Sequence, residues 1–171
     1  MRALTGIALL LLTASTSSPA VAQQSSAKAP RKLKFATGET IVDAGRDTDH
    51  VVVNDARGKL TSESWCDAET FDAYFTLFTD LKAALGRGDR AAVVKLVGYP
   101  LQVNAKRPLS LGNDAALSRA YEKVFTPKVL ATVRKAEPAA VFCRDGQGML
   151  GDGVIWAVAS SGSAKATVVN P

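Results

Sequence analysis

Apolar residues follow two spacings along the chain, and the change from one to the other marks out its elements. Over 67–85, Phe71, Tyr74, Phe75, Phe78, Leu81 and Leu85 recur at steps of three and four. That spacing places them on one side of a helix. Asp67 or Thr70 is suited to cap its start, and Gly86 reads as its stop. A short second helix is expected after Asp89, with Val93, Leu96 and Val97 as its apolar stripe, Gly98 as its end and Pro100 as a bar to its resumption. Asn113 or Asp114 opens a third helix, whose inward side is Leu117, Tyr121, Val124 and Phe125. Thr126-Pro127 then restarts the chain as a fourth helix over 127–136, with Thr at the cap and Pro in the first turn.

Alternating and β-branched stretches fill the rest. Over 32–64, Leu33 and Phe35 alternate with lysines, and Thr40-Ile41-Val42 and Val51-Val52-Val53 are β-branched runs between turn clusters. Two or three short strands are expected there. Leu101, Val103 and Ala105 alternate with polar residues, and Leu109 and Leu111 suggest a brief return strand. A strand is expected over 139–144, then one long strand over 149–159 bent or bulged at Gly151 and Gly153. The run from Val154 to Val158 lacks strict alternation, so burial on both faces is expected of it. A hairpin turn at 160–163 leads to a last strand over 164–169.

The order of these elements is recognisable. Its marks are Gly88-Asp89 before the second helix, Tyr99-Pro100-Leu101 opening the strand, and Tyr121 with Val124-Phe125-Thr126 at the helix break. Gln147-Gly148-Met149 then leads through Gly151 and Gly153 to Ile155-Trp156. The chain resembles nuclear transport factor 2-like proteins, and among them bacterial envelope proteins of uncharacterised function. The resemblance covers about 67–170 and implies an α+β fold, with helices packed on a curved, cone-like antiparallel sheet and a short N-terminal β extension outside it. It carries no activity, because these motifs mark turns, caps and packing.

The first residues change the picture of where this domain works. Arg2 precedes an apolar block over 7–12, and Ala20-Val21-Ala22 offers a cleavage site. This is the layout of a secretory signal peptide over 1–22, too short to span a bilayer. The organisation expected is a signal peptide over 1–22, a flexible lead-in over 23–31, a β extension over 32–64 and the α+β domain over 65–171. Removing 22 of 171 residues leaves 149, one ordinary domain. Losing Arg2 leaves 20 basic against 16 acidic residues, a net charge near +4. The basic residues are spread out apart from 28–34, so nucleic acid is not the expected partner. No stable membrane insertion is expected after the leader is cut. In a periplasmic or secreted setting, Cys66 and Cys143 read as one disulfide.

Candidate chemistry is sparse. His50, in Asp47-Thr48-Asp49-His50, is the only histidine and reads as an exposed strand-edge residue. No metal site, cofactor or catalytic residue is expected. Asp145 and Asp152 each precede a glycine and read as exposed turn residues. Gly146-Gln147-Gly148 lacks the lysine and hydroxyl of a phosphate loop. The aromatic residues are first of all core. Where a pocket exists, Tyr74, Phe78, Tyr121 and Trp156 are the residues expected to line it. The expected function is a non-enzymatic binding or interaction module for a small apolar ligand, a peptide or an envelope protein. The competing expectation is a small acid–base enzyme using a pocket carboxylate and a tyrosine. A third class assembles through a sheet face and needs an exposed apolar patch.

Overall fold

The chain is described by a computed structural model covering residues 32–34, 40–42, 51–54, 57 and 59–171. The expected leader over 1–22, the lead-in over 23–31 and His50 lie outside the described residues.

Four short strands come first: β1 (Lys32–Lys34), β2 (Thr40–Val42), β3 (Val51–Asn54) and β4 (Leu60–Ser64). They pair in sequence order as an antiparallel meander, one strand more than the upper expectation. Helix α1 (Ala68–Arg87) follows. Asp67 caps it: Oδ1 accepts from the Thr70 amide at 2.9 Å. Its end is at Gly88 rather than the expected Gly86. Gly88 has φ +69°, its amide bonds to the Leu85 carbonyl, and the Asp89 amide reaches back to the Ala84 carbonyl. Those two bonds satisfy carbonyls that the helix end leaves open, and they need a left-handed residue at that point.

Next come α2 (Arg90–Leu96), β5 (Val97–Val103), β6 (Leu109–Leu111), α3 (Asp114–Val124) and α4 (Pro127–Lys135). Side chains cap all three helices, with Asp89 bonding Ala92, Asn113 bonding Ala116 and Thr126 bonding Val129. Gly98 does not end α2; it lies inside β5, where the neighbouring strand runs close. A 3-10 turn (Pro138–Ala140) leads into β7 (Phe142–Arg144). Then follow β8 (Gln147–Leu150), β9 (Ile155–Ser160) and β10 (Ser163–Val169). The expected long strand over 149–159 is therefore a hairpin. Gly151, Asp152 and Gly153 all have positive φ, so the chain reverses there instead of bending.

Strands β5 to β10 form one sheet in the order β6-β5-β10-β9-β8-β7. The fold is α+β, with four helices packed against this curved sheet. The sheet is mixed, because β10 returns beside β5 in the same direction while every other pairing is antiparallel. Register assigns the faces. Val103, Val169, Ile155 and Leu150 form one row toward the helices, and all four are buried. Helix α1 lies on this side, against β8, β9 and β10, with α4 and the 3-10 turn also packed on it. Its Phe71, Tyr74, Phe75, Phe78 and Leu81 are all nearly inaccessible. Each such side chain stabilises the fold by about 1.5–3 kcal/mol through burial.

The β extension shares this core. Val51 and Val53 of β3 are fully buried in the same cluster. Ser62 and Ser64 of β4 donate to the Ala139 and Val141 carbonyls at 3.1 and 2.5 Å. Just beyond, Cys66 and Cys143 form the expected disulfide, with a Cα–Cα distance of 5.1 Å. It joins the start of α1 to β7 across 77 positions and contributes about 2–4 kcal/mol, mainly by restricting the unfolded chain.

Candidate functional site

The helix side of the sheet is closed, and Tyr74 closes it. A Cβ built on Gly148 would lie 2.6–2.7 Å from three atoms of the Tyr74 ring, so the ring rests directly on the β8 backbone. Its hydroxyl donates to the Gly146 carbonyl at 2.9 Å and accepts from the Ala159 amide at 3.2 Å. Phe78 stacks beside it at 6.2 Å. Burial pushes the Tyr74 hydroxyl above the ordinary tyrosine range, while the Ala159 bond pulls the other way.

Tyr121 lies elsewhere, on α3. Its ring sits 4.9 Å from Phe125 and beneath the Arg90 guanidinium, at 4.6 Å. Burial raises its hydroxyl too, opposed by the Arg90 charge. Trp156 is on the other side of the sheet: Gly148, which meets Tyr74, pairs with Ala157, and the next residue along β9 points away. The four aromatic residues expected to line a pocket thus do not converge. Tyr74 and Phe78 are core, Tyr121 belongs to the α2–α3 contact, and Trp156 alone stands on the sheet face opposite α1, which no described helix covers.

That face carries an ordered row. Phe142, Met149, Trp156 and Val168 are consecutive register partners across β7, β8, β9 and β10, and the row continues into polar Gln102 and Ser110. The neighbouring row is Arg144, Gln147, Val158 and Lys165. Phe142 and Val158 are each 42% exposed, so the run over 154–158 is not buried on both faces as expected. Alternation along β9 sends Ile155 and Ala157 inward and Trp156 and Val158 outward.

Around Trp156 this face opens into a depression of about 460 Å³. Trp156 and Val168 line it together with Asn104, Asn170, Gln147, Arg144 and Asp145. The indole is held in place, its Nε1–H donating to the Gly153 carbonyl at 3.1 Å. Asn170 Nδ2 donates to the same carbonyl, and Asn104 Nδ2 donates to Asn170 Oδ1 at 2.8 Å. Arg144 Nε lies 3.4 Å from Asp145 Oδ2, an exposed pair that adds little stability. Reading the residues singly missed Phe142, Met149, Asn104, Gln147 and Asn170. The signal that finds them is strand alternation, once the reversal at Gly151–Gly153 is recognised.

Asp145 and Asp152 are exposed at positive φ, in turns, as expected. Among the described residues Ser64 is the one buried polar residue, and no group of three or more His, Cys, Asp or Glu is gathered for a metal ion. Burial and then the nearby Asp114 carboxylate push the Tyr99 hydroxyl up to about 12. No described helix is long and apolar enough to cross a membrane. No protein-family model matches this sequence, and neither a characterised protein nor a solved structure matches it significantly.

Proposed function

We propose that this chain is an exported, non-enzymatic binding module that engages its partner through the helix-free face of the six-stranded sheet. The carrying observation is the apolar row Phe142–Met149–Trp156–Val168, set in register beside an open depression. A sheet face that only met water would alternate to polar residues at these positions. Export is supported by the leader pattern and by the disulfide, which persists in oxidising compartments. Kinship with nuclear transport factor 2-like envelope proteins belongs to the same reading and rests on the order of elements. The acid–base alternative has less support: Asp72 has one buried carboxylate oxygen, but among the described residues no Asp or Glu is buried as a whole.

Three measurements test this. The mass of protein recovered from the envelope or medium should correspond to a chain beginning at Gln23; an intact Met1 terminus on cytosolic protein removes export. Native mass spectrometry of that material should carry retained ligand or partner. Amide shifts on its removal should then fall at 144–149, 156–158 and 168–170. Shifts confined to α1 and the sheet's inner row, or to the Tyr121–Arg90 contact, would place binding elsewhere and sink the proposal.

A further inference from the structure

We infer that the depression around Trp156 is a subsite for an uncharged saccharide, with the indole as platform for a sugar ring and the amide rim as partner for its hydroxyls. This rests on the reading of the helix-free face as the binding face and names the chemistry of its ligand.

The floor and the rim have different properties, and a sugar ring has both. Trp156 spends its only donor on the Gly153 carbonyl, so the ring is fixed and offers apolar surface alone. Val168 extends that floor on one side, while Met149, the register partner on the other, flanks the depression without lining it. The rim is built of side chains with paired donors and acceptors. Asn104 is oriented by its bond to Asn170, which is in turn anchored on Gly153, so the platform and this part of the rim share one backbone carbonyl. Gln147 brings a second amide. Arg144 and Asp145 add a strong donor and a strong acceptor whose charges cancel. Such a rim favours a neutral, hydroxyl-rich ligand over an anion or a cation, because neither sign of charge is left unbalanced. A volume of about 460 Å³ falls within the usual range for small-ligand sites.

The other occupants fit less well. An extended peptide gains affinity by adding to a sheet edge, but β8, β9 and β10 are interior strands whose backbones are already paired on both sides. A wholly apolar ligand would strip water from five polar rim side chains without replacing their hydrogen bonds. A nucleic-acid strand needs a basic track, and here Arg144 is offset by Asp145 while Lys165 Nζ donates to the Lys95 carbonyl.

The test uses the full mature chain carrying Trp65→Phe, which leaves Trp156 as the one fluorophore of its kind. It is titrated with oligomers of N-acetylglucosamine, of β-linked glucose and of α-linked glucose, and separately with an uncharged apolar peptide, with calorimetry alongside. At least one oligosaccharide should shift Trp156 emission with a Kd at or below about 1 mM. Trp156→Ala should weaken that binding at least about tenfold by calorimetry, and Asn104→Ala and Gln147→Ala each about threefold or more. Thermal unfolding confirms that each variant is folded, and the rim variants carry the test if Trp156→Ala is not. Failure of every oligosaccharide to bind folded protein at about 10 mM overturns the saccharide subsite. If the peptide binds instead and Trp156 reports it, the face remains a binding face and only the ligand class falls. If neither probe binds, and retained ligand maps elsewhere, both readings fall.

Discussion

The two faces of the six-stranded sheet are made by the same strands and have opposite fates. Inward, Ile155, Ala157 and Leu150 are buried on the side α1 occupies, and Gly148 carries the Tyr74 ring where any Cβ would collide. Outward, one residue along, Trp156 and Val158 lie on the face away from α1, where no described helix packs. The inner face is closed by large side chains from a helix, each with dispersion contacts on every side. The outer face has comparable apolar side chains that are only partly covered among the described residues. Residues of the same type therefore hold the fold on one side and stay partly exposed on the other.

Substitutions should separate the faces by the size of their effect on stability. The largest loss is expected for Phe78→Ala, which opens a cavity in the closed layer. Chemical denaturation should register about 4 kcal/mol. A value below about 1 kcal/mol would mean the layer under α1 is loose enough to be a pocket after all. Gly148→Ala comes next, at about 2 kcal/mol, because Tyr74 is bonded at both Gly146 and Ala159 and has no room to retreat. A neutral result there would show that the ring does not rest on the strand.

Alkaline titration probes the helix side alone, since Tyr74 is on α1, Tyr121 on α3 and Tyr99 beside Asp114 at the start of α3. All three hydroxyls are raised above the ordinary value of 10.0 in the folded protein. The unfolded chain therefore loses its protons first, and their contribution, whole below pH 10, is lost as pH climbs toward about 12. Phenolate absorbance should lag behind that of denatured protein across this window, and stability should decline through it. Coincident titration curves would remove the burial argument for all three. The smallest effect is expected on the open face: Val158→Thr should change stability by no more than about 0.5 kcal/mol. A loss several times larger would show that something packs over that face and would blur the contrast between the two.

Much of the fold was legible locally. The restart at Thr126-Pro127, the cap at Asn113 and the turn at 160–163 are all where the residues put them. Two cysteines allow one pairing, and it forms. The misreadings share a cause. Gly86 and Gly88 are equally good stops by composition, and the choice went to the residue from which both Gly88 and Asp89 amides can turn back onto the helix. Gly98 reads as punctuation but lies beside Lys165 and Thr167 of a strand far along the chain. Gly151 and Gly153 are compatible with a bulge or a reversal, and Asp152 adopting positive φ between them made it a reversal.

The candidate site was the least legible part. Tyr74, Phe78, Tyr121 and Trp156 are all aromatic residues on apolar stripes, and nothing within a few positions of each tells core from open face. The spacing of side chains, the caps and the turns act over one or two turns of backbone, so the chain's own order of residues determined where helices and strands run. Which aromatic stays uncovered depends on β10 lying beside β5, on the register that lines Met149 up with Trp156 and Val168, and on α1 taking only one side of the sheet. Those are contacts between distant segments, and only the assembled tertiary structure decided them.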